Sequence, residues 1–273
     1  MPTIEQNIST WTRYRWRQQG DEWSRLWGGT DYEWWGTIFP RVQEFLPAAS
    51  ALEIAPGYGR WTRYLVHLCD RLIGIDLASN CIEACRERFA AHRHATFHLN
   101  DGISLEAVPD GSIDFAFSFD SLVHADQDVV ECYVHELAKK LKSDGVAFMH
   151  HSNMGKYRDQ QTGRLSVPNI GWRGNMSAEL FERFCGEAGV SCIGQEMVNW
   201  ATEHLNDCFS LLTRPGSRFE RPNRVRENRA FMEEAASLER IASLYGSQGF
   251  PGGEVPAPSE RAAQLFGDRP RGV

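Results

Sequence analysis

The middle of the chain alternates short apolar runs with amphipathic stretches. The apolar runs predict five strands, at residues 51–54, 71–76, 95–99, 112–119 and 146–149. Helical spacing of hydrophobic residues predicts helices at residues 61–70, 79–89 and 129–141. Brief hydrophobic strands that alternate with helices are typical of a parallel sheet covered on both faces. We therefore predict an α/β fold.

Further elements are predicted on both sides of this region. Ser177 is expected to cap a helix that ends at Ala188, because a serine hydroxyl can accept a hydrogen bond from the first helical turn. Two more strands are predicted at residues 191–200 and 208–213, and an amphipathic helix at residues 229–245. The chain divides into a Trp-rich N-terminal arm or lid (1–47), a main domain (48–214) and a C-terminal helix with an extended tail from residue 246 (215–273).

The turn after the first strand is the most informative stretch. It reads Ala-Pro-Gly-Tyr-Gly over residues 55–59, and the second strand ends in Asp76. Glycines let a ligand approach the backbone closely, and a carboxylate at the second strand end can bind ribose hydroxyls. The dinucleotide fingerprint is broken, because its third glycine would fall on Thr62. A nicotinamide-dependent oxidoreductase is therefore disfavoured.

The same residues resemble motif I of class I S-adenosylmethionine (SAM) methyltransferases. Glu53, Gly57, Gly59 and Asp76 match that motif one by one. The resemblance implies a Rossmann-like, doubly wound, seven-stranded sheet whose last strand is antiparallel, and SAM as cofactor. It also implies further cofactor-binding positions at the ends of strands two to four. These are Leu77 against the adenine face, Asp101 at the adenine amino group, Gly102 and Phe119.

Acid and imidazole groups follow the fourth and fifth strands. Asp120 and His124 come after strand four, and His150 and His151 come after strand five. The carboxyl ends of parallel strands meet at one edge, so these groups are candidates for proton removal there. We predict catalytic roles for His124, His150 and Asp120. Some relatives hold magnesium at this place, so Asp120 and His151 are candidate ligands and magnesium is a candidate cofactor.

The stretch from residue 23 to residue 214 resembles bacterial sugar O-methyltransferases, among them the mannoside methyltransferase of methylmannose-polysaccharide synthesis. The resemblance implies methyl transfer to a hydroxyl of a small molecule, with a sugar or glycoside as the expected acceptor. Two alternatives stay open: methylation of a natural product other than a sugar, and a non-catalytic SAM-binding protein of the same fold.

Composition narrows the possible partners. The net charge is −7 and the pI is about 5.7, which disfavours a nucleic-acid ligand. There is neither a run of membrane-spanning length nor a signal-peptide pattern, so no membrane partner and a cytoplasmic location are expected. Seven cysteines, an odd number, favour reduced thiols over a disulfide framework. Association into a homo-oligomer is left open.

Three regions are candidates for contact with the acceptor. Most of the six tryptophans in residues 1–47 are expected to pack the arm onto the domain, with one or two rings covering the acceptor site. The long polar connection 154–175 favours a substrate loop, with Trp172 and Arg173 as its gripping residues. The connection between the last two strands should lie on the cofactor side. It offers three rim candidates, Glu203, His204 and Asp207.

Overall fold

A computed structural model describes residues 3–159 and 161–245; the tail predicted from residue 246 lies outside the described residues. One eight-stranded sheet, in the order β3-β2-β1-β4-β5-β7-β6-β8, forms the centre of the protein. Its strands are β1 (Ala48–Ile54), β2 (Cys69–Asp76), β3 (Ala95–Leu99), β4 (Ile113–Ser118), β5 (Leu141–Ser152), β6 (Ser191–Val198), β7 (Asp207–Thr213) and β8 (Val225–Asn228). Strand β7 runs antiparallel to β5 and β6, and the other neighbouring strands are parallel.

Helices and helical turns connect the strands. The α-helices are α1 (Ile4–Arg13), α2 (Thr30–Glu33), α3 (Phe39–Val42), α4 (Thr62–Leu65), α5 (Ser79–Arg88), α6 (Gln127–Lys140), α7 (Ala178–Glu187) and α8 (Phe231–Tyr245). Ser177 caps α7 as predicted, since its side chain accepts a hydrogen bond from the Leu180 N–H at 3.2 Å. Within the described residues, no helix combines the length and apolarity needed to cross a membrane.

The sheet differs from the prediction in three places. Strand β8 adds an eighth strand beyond residue 214; its sequence, Val-Arg-Glu-Asn, is too polar to be recognised as a strand. Helix α4 has only four residues because the chain already joins β2 at Cys69. Strand β5 takes in both the expected turn at 142–145 and the two histidines.

Two apolar layers cover the sheet. One layer comprises α6 and α7, which bury side chains such as Val130, Leu137 and Phe181. The other comprises the N-terminal segment and α8, where Trp27 and Trp34 pack with Phe231 and the phenylalanines of β4. Both tryptophans are fully buried, so for them the packing role predicted for most of the arm is what the structure shows. All seven cysteines are free thiols.

Candidate functional site

The turn after β1 has backbone angles that suit glycine. Gly57 and Gly59 have φ values of +58° and +84°. A Cβ on Gly59 would lie 2.4 Å from the Phe89 ring, so a larger residue cannot fit unless that ring moves. The Gly57 N–H donates to the Asp76 carboxylate at 3.1 Å, which ties the turn to the end of β2. A hydrogen bond therefore joins two residues of the predicted motif, Gly57 and Asp76.

Two buried carboxyl groups lie under this turn. Asp76 also accepts the Ala78 N–H at 2.8 Å, and burial raises its pKa to about 6 against the effect of these hydrogen bonds. Glu53 accepts the Thr62 hydroxyl at 2.6 Å, and burial raises its pKa to about 8. Its second oxygen is buried without a hydrogen-bond partner among the described residues. An unpartnered buried acceptor beside a glycine turn fits the charged ammonium of a SAM methionyl group.

The remaining predicted cofactor residues occupy different environments. Asp101 is exposed and accepts the N–H groups of Ile103 and Ser104 at 3.0 and 2.7 Å, which shape the turn after β3. Gly102 lies in that turn with φ +89°, and Leu77 is half-buried after β2. Phe119 is only 2% exposed, in the core. Its ring packs on other aromatic rings, so the structure gives it a packing role.

His124 lies at the edge of the sheet, in a helical turn that follows β4. Its Nδ1 is 3.1 Å from the Trp172 carbonyl, which can only accept, so Nδ1 carries the proton and Nε2 holds a lone pair. Burial, with the nearby Arg173 charge, lowers the pKa of His124 and favours its neutral form. The rings of Trp11 and Trp172 have their centroids 5.3 and 5.8 Å from the imidazole.

His150 is fully buried in a hydrogen-bond network. Its Nδ1 accepts the Asp120 backbone N–H at 3.0 Å, and its Nε2 is 3.2 Å from the Asp207 carboxylate. Asp207 is also paired with Arg173 through two bonds of 2.9 and 2.8 Å. Burial alone would raise the pKa of Asp207, but the Arg173 guanidinium outweighs it and lowers the pKa to about 2. Both ring nitrogens of His150 are engaged, so its contacts suit positioning rather than proton removal.

His151 points to the opposite face of the sheet. Its ring stacks on Phe181 of α7 with centroids 4.8 Å apart, and Nε2 lies 2.8 Å from the Ser210 hydroxyl. Burial lowers the pKa of His151 to about 4. The prediction that His151 is a metal ligand beside Asp120 therefore needs correction, because successive strand residues face opposite sides.

The donor set at Asp120 does not fit magnesium either. Its carboxylate forms an ion pair with Arg60 at 2.7 Å, and a guanidinium occupies the place that a cation would need. Magnesium takes oxygen ligands, several of them carboxylates or waters. Within residues 3–159 and 161–245, no group of three or more His, Cys, Asp or Glu side chains is placed to hold a metal ion.

A buried charge cluster was not predicted from the sequence. Arg60 directly follows the glycine turn and lies between the rings of Trp23 and Trp61, 5.4 and 4.4 Å away. Besides Asp120, it approaches Glu33 of α2 at 4.0 Å. Neither Glu33 oxygen has a hydrogen bond to another described residue, and burial raises the pKa of Glu33 to about 8. The sequence position of Arg60, next to the glycine turn, could have marked it as part of the site. Nothing in the sequence indicated that Glu33 would be buried beside it.

The loop residues divide into a buried group and an exposed group. Arg173 and Asp207, predicted for the substrate loop and the rim, form the buried ion pair described above. Trp172 is 38% exposed, with its ring beside that of His124. Glu203 is exposed and His204 half-buried, with their charged groups 3.7 Å apart.

Comparison with known proteins identifies the central part of the chain. Residues 51–145 match the family model described as a methyltransferase domain. A SAM-dependent methyltransferase of Leishmania major has a similar fold, with 13% identity, a TM-score of 0.57 and coverage of 77% of this chain and 82% of that one. A search of curated proteins finds no match.

Two further solved structures are similar. A SAM-dependent methyltransferase of Clostridium acetobutylicum has 14% identity, a TM-score of 0.52 and coverage of 71% of this chain and 92% of that one. A protein of Pyrococcus horikoshii has 17% identity, a TM-score of 0.51 and coverage of 65% and 88%. At these identities the likeness shows the fold alone. The family match and this likeness agree on a methyltransferase domain with a Rossmann-like fold, the fold of the SAM-dependent methyltransferases named above.

Proposed function

We propose that the protein transfers the methyl group of SAM to a hydroxyl group of a small polar acceptor, with a sugar or glycoside as the acceptor class. The observation that carries this proposal is which ring nitrogen of His124 carries the proton. Its Nδ1 proton is held by the Trp172 carbonyl at 3.1 Å, so its Nε2 lone pair is available to accept a proton. A neutral imidazole at the end of β4 suits removal of a hydroxyl proton.

The cofactor would be held by the glycine turn and the carboxyl groups beneath it. Asp76 retains lone pairs for ribose hydroxyls, and the unpartnered oxygen of Glu53 would accept from the methionyl ammonium. When bound, SAM supplies a methyl group on a sulfonium, which is a good leaving group. The chain therefore has to align the acceptor and take up one proton.

His124 is the group that we propose takes up this proton. Bound SAM would supply the methyl group that the acceptor oxygen takes up, and its sulfonium would leave as a neutral thioether, while Nε2 of His124 accepts the hydroxyl proton. The products are the methylated acceptor, S-adenosylhomocysteine (SAH) and a protonated His124, which returns the proton to solvent. Arg173 lies close enough to lower the pKa of His124, which favours this return.

His150 and Asp120 have a supporting role in this proposal. Asp120 has φ +56°, a conformation that non-glycine residues seldom adopt, and the bond from its N–H to His150 stabilises that turn. The turn begins four residues before His124. The pair therefore positions the base, and no step in this mechanism passes through magnesium.

A sugar-like acceptor is supported by the kind of side chains around His124. The ring of Trp172 lies against the imidazole, and an aromatic face beside polar groups is well suited to a pyranose. The test is a screen with methyl-labelled SAM against methyl glycosides and plant phenols, with and without a chelator. Methylation of a glycoside supports the proposal, and methylation of phenols alone would replace the acceptor class.

The role of the base is tested with variants of His124. We expect His124→Ala to lower turnover by roughly 10²- to 10⁴-fold, the usual contribution of a general base. SAH affinity should stay near that of the wild type. His135→Ala, which removes a half-buried imidazole from α6, is the matched control. Turnover of His124→Ala equal to that of this control would remove His124 from the mechanism.

A further inference from the structure

The N-terminal arm lies across the predicted cofactor cleft. Residues 3–18 contact three parts of it. Trp16 stacks on Tyr58 of the glycine turn with ring centroids 4.6 Å apart. The Trp11 carbonyl accepts a hydrogen bond from Asn80 of α5 at 3.3 Å, and Ile4 covers Gly102. The arm therefore covers the ends of β1, β2 and β3, where the sequence places SAM.

Trp16 takes the place closest to the motif. A Cβ built on Gly57 would lie 2.7 Å from Cη2 and 3.0 Å from Cζ3 of the Trp16 indole. These distances leave no room for even a methyl group between the ring and the backbone. A ligand therefore cannot approach Gly57 while Trp16 holds this position.

The same arm also covers the proposed base. Asn7 donates to the His124 carbonyl at 3.1 Å, and the Trp11 ring lies against the His124 imidazole. Trp16 and Trp11 are linked, because the Trp16 indole N–H donates to the Trp11 carbonyl at 3.3 Å. A displacement of Trp16 will therefore disturb the contact of Trp11 with His124.

The end of the arm has the geometry of a hinge. Gln19 and Gly20 both have positive φ values, +55° and +95°. Such angles are unusual for a residue with a side chain, and a change at two successive residues can redirect the preceding segment. After this point the chain enters the core, where Trp27 is fully buried. The movable part is therefore residues 3–18.

We propose that residues 3–18 form a gate that SAM itself operates, with Trp16 occupying the cofactor position in the closed state. SAM binds when the arm turns about Gln19 and Gly20, and the same movement withdraws Trp11 from His124. The cofactor thus binds first and opens the site to the acceptor. This proposal deepens the proposed function, and it rests on the cofactor site rather than on the identity of the acceptor.

The test measures SAH association by stopped-flow tryptophan fluorescence. In the wild type the observed rate should level off at high SAH concentration, because opening of the arm becomes limiting. In Trp16→Ala and in a variant that lacks residues 1–18, the rate should keep rising with concentration. At low SAH it should be about tenfold faster, the change that corresponds to a loss of about 1.4 kcal/mol of closed-state packing.

Trp35→Ala is the control, because it removes a half-buried indole that packs on Phe39, outside the gate formed by residues 3–18. Its association rate should match the wild type. Wild-type rates in both Trp16→Ala and the truncated protein would overturn the gate while leaving the proposed function intact. Failure of SAH to bind any of the proteins would overturn the cofactor site and the gate together. If the truncated protein does not fold, Trp16→Ala alone decides.

Discussion

Replacement of Glu33 by glutamine tests the unexpected charge cluster. Glu33 is fully buried, and the one cation near it among the described residues, Arg60, is 4.0 Å away and already paired with Asp120. Distance alone would make Glu33 and Arg60 an ion pair. The absence of a hydrogen bond between any described residue and the Glu33 carboxyl argues instead that desolvation dominates, and it raises the pKa of Glu33 to about 8. Glutamine keeps the shape and removes the titration.

The size of the effect follows from the two pKa values. An exposed glutamate ionises near 4.5, whereas Glu33 in the folded protein keeps its proton up to about pH 8. The folded state then binds more protons than the unfolded state, so stability is highest at low pH and falls as the pH rises through 8. Between pH 6 and pH 9, this one group should lower the free energy of unfolding by about 2–3 kcal/mol.

Burial also raises the pKa of Glu53 to about 8, and this residue remains in the variant. Glu33→Gln should therefore reduce the loss of stability between pH 6 and pH 9 to roughly half of its wild-type value. Urea unfolding at a series of pH values measures this loss. Glu203→Gln, at an exposed side chain, is the control and should leave it unchanged. A pH dependence equal to wild type in Glu33→Gln would show that this carboxyl is not buried as a neutral acid.

Three further predictions concern the cofactor site, the buried ion pair and the metal. Asp76→Ala should weaken SAH binding by about 1.5–3 kcal/mol or more by calorimetry, because the lost carboxylate also holds the Gly57 turn; unchanged affinity would contradict the site. Arg173→Met should lower the free energy of unfolding by about 3–5 kcal/mol near neutral pH, because the buried Asp207 charge loses its guanidinium partner and is left with the hydrogen bond to His150; a change below 1 kcal/mol would show that water screens the pair. Removing divalent metals with a chelator should leave methyl transfer unchanged, and restored activity on adding magnesium would reverse our conclusion about the donor set.

Much of the sheet was predictable because its strands are short, apolar and separated by turns. The predicted residues for strand three coincide with β3, and those for strands one, two, four, six and seven fall on observed strands with shifts at their ends. The polar strand β8 was missed because an edge strand need not be hydrophobic. Helix α4 was predicted too long, because the chain already joins β2 at Cys69.

The candidate site shows where residue type stops being informative. The sequence placed His124, His150 and His151 at one edge, but it could not say which face each imidazole takes or which atoms are already bonded. Those properties depend on distant partners, such as the Trp172 carbonyl for His124 and Asp207 for His150. Neither partner is close in sequence to the histidine that it fixes.

The contacts of the N-terminal arm were also only partly predictable from sequence, and they matter for function. Helical spacing and aromatic content indicated that the first 47 residues would pack on the domain or cover the acceptor, and the structure places residues 3–18 on both the glycine turn and His124. A single segment that contacts both ends of the site links them, because it cannot leave one without disturbing the other. For that reason the tryptophans of the arm cannot be divided in advance into structural and functional rings: Trp16 packs in the closed state, and the same packing is what SAM must displace.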